Sequence, residues 1–249
     1  MPSVVDSSPF LPLVLPAPNE QRTGSGRPGP RYWQQWADYK LEAELNPVSK
    51  RLMGKGSIAY YNRSPDTLRE VYVQLLHNIF APGMRHNTDV PWSVEGVELS
   101  RVAAQGQELK PSDDREKPAY QVDGTIMRIR LPRPLPPGGS AAFDFAWRLR
   151  IPPDGAPRGG QDGETFYINY WYPQMAVYDD INGWQIDQYF GNAEFYMGYA
   201  DYDVKVTVPA GWESGGAVVM VRKLIDNGMV VDWWRNIATV YKDPCHWQT

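Results

Sequence analysis

Proline and glycine interrupt this chain so often that a helical fold is ruled out at the start. The 249 residues include 23 prolines and 22 glycines, spread along the whole length. Proline removes a backbone donor and clashes with the preceding turn of a helix, and glycine in a helix interior costs about 1 kcal/mol relative to alanine. No long segment has a 3.6-residue apolar period. Between the breaks, apolar and polar residues alternate, which is the period of a half-buried strand. Tyr39, Leu41, Ala43 and Leu45 do so within "RYWQQWADYKLEAELNP", and Asn46-Pro47 ends the run. Further strands are predicted through Ile58 and Tyr60, in "EVYVQLL", from Val94 to Val102, and in "AYQVDG" and "TIMRIRLP". The last two join near Asp123-Gly124, a hairpin signal. "AAFDFAWRLRIP" places Phe143, Phe145, Trp147 and Leu149 on one face, and "YDVKVTVPAGW" alternates through Val204, Val206 and Val208. Near the C-terminus "GAVVMVRKL" and "GMVVDWW" read as strands, and "RNIATVYKD" as strand or short helix. The expected fold class is all-β, an antiparallel β-sandwich or saddle.

Length suits one large β domain or two small ones and allows a proper core. Residues 1–30 are rich in Pro, Gly and Ser and read as a disordered leader; 31–212 read as the β domain, and 213–249 as a diverged or truncated extension of it. The apolar run Pro9–Pro18 holds four prolines. It lacks a preceding basic residue and a small-residue cleavage site, so it makes a poor export signal, and it is too short to span a bilayer. Localisation, cytoplasmic or exported, stays open at this point. The formal net charge is −4, the pI is near 5.4, and the basic residues are scattered. That pattern speaks against nucleic acid or an anionic membrane as partner. The single cysteine, Cys245, excludes an intrachain disulfide.

The chemistry-bearing residues are sparse. A catalytic zinc needs about three protein ligands, usually His with Asp or Glu. The histidines are His77, His86 and His246. His77 and His86 begin "HNIFA" and "HNTDV", neither of which fits H-E-x-x-H, so a structural or surface role is expected for each. There is no G-x-S-x-G motif, and Cys245 beside His246 is sequence adjacency only. The glycine clusters match neither a P-loop nor a dinucleotide fingerprint. Asp179-Asp180, in "YDDINGW", could act as a glycosidase pair with Glu164 or Glu194, or as a calcium loop. The favoured reading is a turn, because Asp and Asn bond their own backbone and Gly accepts φ > 0. Thirteen of the 32 aromatic residues lie between Phe166 and Tyr202. They suit a β core, and a carbohydrate- or protein-binding β-sandwich is the alternative if their rings face solvent.

Two stretches, in order, carry a resemblance. The stretch from Arg31 to Leu75 resembles the opening of the N-terminal domain of M1-family zinc aminopeptidases, in which two antiparallel strands precede a step matched here by "YNRSPDTLREVYVQLL", Tyr61–Leu76. The later stretch Gly163–Trp212 resembles the second half of that domain. It contains the W-[FY]-P-x-x-A-V-Y-D-D-x-x-G-W signature of bacterial M1-like members as Trp171, Tyr172, Pro173, Ala176, Val177, Tyr178, Asp179, Asp180, Gly183 and Trp184. The resemblance spans roughly Arg31 to Trp212. It implies a β-rich saddle that is non-catalytic by itself, packs on a catalytic domain of the same parent protein and walls the peptide-substrate cleft. It places the zinc, its ligands and the general-base Glu in that other domain, with no cofactor in this chain. It also implies that a Gln or Glu meets the substrate's free amino group; counting back from Pro173 points to Glu164, with Gln161 nearby.

Overall fold

The computed structural model describes residues 17–87, 89–90, 93–153, 159–192, 196–215, 224–226, 229–232 and 237–241. Chain contacts divide into two units, Met1–Trp33 and Gln34–Thr249. In the first, residues 22–28 form a tight loop closed by an Arg22–Pro28 bridge, with Thr23 N–H donating to the Arg27 carbonyl at 2.9 Å. The expected leader falls partly outside the described residues.

The second unit is built of strands. They are β1 (Trp36–Asn46), β2 (Arg51–Tyr61), β3 (Leu68–Gln74), β4 (Glu98–Ala104), β5 (Gln107–Glu108), β6 (Ala119–Asp123), β7 (Ile126–Leu135), β8 (Ser140–Arg150) and β9 (Gly159–Asp162). There follow β10 (Thr165–Asn169), β11 (Gln174–Met175), β12 (Tyr178–Asp179), β13 (Gly183–Trp184), β14 (Tyr199–Val208), β15 (Glu213–Gly215), β16 (Leu224–Asp226), β17 (Met229–Asp232) and β18 (Ile237–Tyr241). The one helical element among the described residues is a 3₁₀ turn, Leu76–Phe80. No helix there is long and apolar enough to cross a membrane.

An eight-stranded sheet has the order β16-β17-β14-β1-β2-β8-β4-β5, and two four-stranded sheets have the orders β11-β3-β7-β6 and β15-β18-β10-β9. A short β12–β13 ribbon completes the set. Pairing is antiparallel except between β1 and β14, which run parallel from Trp36↔Tyr199 to Glu44↔Thr207. A parallel pair needs a long crossover, and here most of the domain supplies it.

The predicted alternation sets the faces. Ala37, Tyr39, Leu41, Ala43 and Leu45 of β1 are buried, while Lys40, Glu42 and Glu44 face out. Outward charges alternate in sign across the strands: Lys40 opposes Asp203, and Glu42 lies between Lys205 and Lys55, with a 3.1 Å ion pair to Lys55. Such cross-strand pairs steady a solvated face. One continuous core joins residues of all three large sheets, including Leu41, Phe143 and Val206, Val71 and Ile129, and Phe166 and Ile168.

Two boundaries differ from expectation. The strand expected from Val94 begins at Glu98, because Asn78 takes over the preceding backbone: its Oδ1 accepts the Val97 N–H at 2.7 Å. The β3 strand stops at Gln74, where the chain tightens into the 3₁₀ turn. The ambiguous "RNIATVYKD" resolves as strand β18 over Ile237–Tyr241.

Candidate functional site

The segment Tyr170–Trp184 threads between the sheets, and its side chains are largely committed to internal contacts. It opens at Tyr170, whose φ of 55° lies in the left-handed region, and whose ring meets that of Tyr189 edge-on at 6.4 Å. The next carbonyl, of Trp171, accepts the Trp147 Nε1–H at 2.7 Å, and the two indoles stack at 6.0 Å. Tyr172 packs edge-on against Trp171, Tyr39 and Tyr202, and both Tyr172 and Pro173 are buried. Met175 N–H donates to the Tyr39 hydroxyl at 3.0 Å, tying β11 to the eight-stranded sheet. Burial, more than the neighbouring Tyr202, holds the Tyr39 phenol protonated far above its ordinary range.

The ribbon that follows is a local device. Asp179 Oδ1 accepts the N–H groups of Ile181 and Asn182 at 3.0 and 2.8 Å, and Gly183 has φ 70°. This is an Asx turn closed by a glycine in the left-handed region. Tyr178 then pairs with Trp184 across the ribbon, with ring centroids 5.0 Å apart. Trp184 also lies 5.6 Å from Tyr72 and 6.2 Å from Tyr60. The Tyr178 hydroxyl donates to Asp66 Oδ2 at 2.8 Å, and partial burial followed by that carboxylate pushes its pKa up to about 12. Asp180 sits half-buried on the same turn.

Beyond the ribbon, Gln188 and Tyr189 grip the β6–β7 turn. Gln188 Oε1 accepts from Thr125 N–H at 2.8 Å, its Nε2 donates to the Asp123 carbonyl at 2.8 Å, and Tyr189 N–H donates to Thr125 Oγ1 at 2.9 Å. The Asp123-Gly124 hairpin signal is legible in sequence; the grip is not.

Gln161 and Glu164 lie on the β9–β10 hairpin. Gln161 is opposite Phe166, on the core-facing side, and its Nε2 donates to the Gly163 carbonyl at 2.6 Å. Its Oε1 is sealed from solvent and accepts no hydrogen bond among the described residues. Glu164 is exposed at the turn. Glu194, Cys245 and His246 lie outside the described residues.

The described donors do not fit a catalytic zinc. His77 Nε2 lies 2.9 Å from the Arg150 carbonyl and His86 Nε2 lies 2.7 Å from the Ile79 carbonyl, so each imidazole is engaged with its own stretch of backbone. Among the described residues no three His, Cys, Asp or Glu side chains come together as a metal site. Burial lowers the His77 pKa to about 4, partly offset by its bond to Arg150. The unfolded chain therefore binds a proton at His77 that the fold excludes. Stability from this residue is full above about pH 6.5 and is lost as pH falls toward 4, by about 3 kcal/mol in total. His77→Gln keeps a donor near the Arg150 carbonyl but does not titrate. In urea titrations at pH 7 and pH 5, the wild-type chain is expected to lose about 2 kcal/mol more than this variant.

The aromatic density is spent mostly inside. Phe166, Trp171, Tyr172 and Tyr189 are buried, and Tyr178 and Trp184 pack against the core; Phe190, Tyr196 and Tyr199, 36%, 51% and 63% exposed, are the outward exceptions among the described aromatics.

No family model matches this chain, and no curated protein matches it. Solved structures do. A two-domain M1 zinc metallopeptidase variant bound to L-tryptophan is 14% identical, with a TM-score of 0.49, over 86% of this chain and 44% of its own. The Deinococcus radiodurans M1 zinc metallopeptidase bound to a Tyr-Ser-Ala substrate is 15% identical, with a TM-score of 0.49, over 84% of this chain and 42% of its own. Legionella pneumophila aminopeptidase A in complex with aspartic acid is 13% identical, with a TM-score of 0.44, over 82% of this chain and 21% of its own. The chain thus spans less than half the length of each of these three proteins.

Proposed function

We propose that this chain serves as the non-catalytic N-terminal β domain of an M1-like zinc metallopeptidase, packing on a catalytic domain of the same parent protein and walling one side of its peptide cleft. The single observation that carries the reading is the use of the signature residues. Asp179 spends its carboxylate on two backbone N–H groups, Tyr178 is tied to Asp66, and Trp184 is packed among Tyr60, Tyr72 and Tyr178. A motif committed in this way supports a scaffold rather than a pair of working carboxylates. The zinc belongs, on this reading, to the partner domain. Gln161 and Glu164 are its substrate contacts: Glu164 stands exposed at the β9–β10 turn, and Gln161 lies beside it on the same hairpin.

The purified chain, supplied with zinc, is expected to leave aminoacyl anilides intact. Zinc-dependent turnover by the chain alone would overturn the reading. In the complete enzyme, Glu164→Ala and Gln161→Ala are expected to raise KM for substrates with a free amino group by about tenfold. Asp179→Asn, which preserves the turn acceptor, is expected to leave kcat unchanged there; a large loss of kcat would return Asp179 to a chemical role.

A further inference from the structure

Among the described residues, three besides glycine hold a positive φ: Lys50 at 54°, Gln105 at 52° and Tyr170 at 55°. Side chains in this region carry a conformational cost that glycine avoids. Two of the three use their side chains inside the fold. Gln105 accepts the Arg133 N–H and donates to the Arg133 carbonyl, at 2.8 and 3.0 Å, while Tyr170 packs on Tyr189. Lys50 closes the β1–β2 turn, where glycine would suit the backbone, yet its ammonium makes no hydrogen bond or ion pair among the described residues.

Among the described residues around Lys50, cations outnumber carboxylates. Arg51 is neutralised by Glu95 at 2.9 Å and reaches Glu98 at 3.6 Å. Glu98 also takes Arg148, whose Nε donates to it at 2.9 Å. The Glu95 carboxylate is held below its ordinary range by its own backbone N–H and by Arg51. Arg150 is left with a 3.9 Å approach to Glu95, and the Lys50 ammonium with no partner among the described residues. Among the described residues, Arg51, Arg148 and Arg150 thus share Glu95 and Glu98, in a protein whose net charge is −4. Lys50 and Arg150 line one cleft of about 370 Å³, with Pro82, Val94 and Pro153 as apolar wall and Glu95 at its side.

We propose that this cleft binds the C-terminal carboxylate of a peptide, with Lys50 and Arg150 holding the carboxylate and the Pro82, Val94 and Pro153 wall taking the terminal apolar side chain. The site is independent of Gln161 and Glu164 and stands or falls separately from the peptidase reading. Two cations beside a dry wall suit a carboxylate on an apolar chain better than a bare anion, which gains nothing from the wall.

The test is calorimetric titration of the full chain with acetyl-Ala-Ala-Leu carrying a free carboxylate, with the same peptide as its C-terminal amide, and with inorganic phosphate. The free acid is expected to bind at least about tenfold more tightly than the amide, and phosphate more weakly than the acid. Lys50→Gly removes the cation and suits the backbone, so it is expected to fold with an unchanged or higher melting temperature and to weaken the acid about tenfold. Arg150→Met is expected to weaken it similarly. Equal affinity for acid and amide, phosphate binding as tightly as the acid, unchanged affinity in folded Lys50→Gly, or no heat of binding at millimolar peptide would each overturn the proposal.

Discussion

Asn62→Asp is expected to destabilise the fold by about 5 kcal/mol at pH 7, and Asn62→Ala by about 4 kcal/mol, with urea midpoints falling accordingly. The residue is completely buried and uses both ends of its amide. Nδ2 donates to the carbonyls of Asp66, Leu135 and Pro136 at 2.7, 3.1 and 3.1 Å. Oδ1 accepts from Gln35 Nε2 at 3.1 Å, from Ser64 N–H at 3.2 Å and from Ser64 Oγ at 2.6 Å. Alanine leaves these buried partners unmatched. Aspartate keeps the acceptor but turns a negative oxygen toward three carbonyls, without a counter-ion. Burial raises the pKa of such a carboxyl, so the deficit of Asn62→Asp is expected to shrink as pH falls and the group takes up a proton. Equal stability of this variant at pH 7 and pH 4, relative to Asn62→Ala, would refute that account.

Gly54→Ala is expected to cost about 3 kcal/mol. A Cβ at this position would stand 2.3 Å from two atoms of the Trp147 ring. That ring cannot simply swing away, since its Nε1–H is bonded to the Trp171 carbonyl and its face stacks on Trp171. Trp147→Phe costs stability by itself through lost volume and the lost hydrogen bond. The smaller ring nevertheless makes room, so the double variant is expected to be about 1–2 kcal/mol more stable than the sum of the two changes. Strict additivity in chemical denaturation would show that the two residues do not meet as described.

Both predictions bear on what a linear reading of this protein could reach. Asn62 stands in "YNRSPDTL", a turn whose composition is evident and which carries part of the resemblance. Its position as the buried link to Leu135 and Pro136 is not evident, because those carbonyls come from a distant strand end. Asp179 is the opposite case. Both N–H groups that it binds follow within three residues, so its turn is readable from the local string. His77 and Asn78 lacked any motif, yet they fix the 3₁₀ turn to Arg150, to Gly124 and to Val97. The candidate pair Gln161 and Glu164 was reached only through the resemblance, and the hairpin that holds them was not anticipated as strand. The cleft at Lys50 gave no signal at all, since Lys50 lies in the β1–β2 turn and Arg150 ends β8, and the two meet only at the sheet's end.

Strand periods, hairpin turns and the inward face of β1 follow from the sequence alone, because each depends on side-chain alternation or on φ preferences within a few residues. The order of strands, the parallel seating of β14 beside β1, the meeting of Gly54 with Trp147 and the uneven sharing of charge around Lys50 were decided only in three dimensions. Those features depend on which distant segments close on one another, and the cost of that closure is met by a core that no short stretch contains.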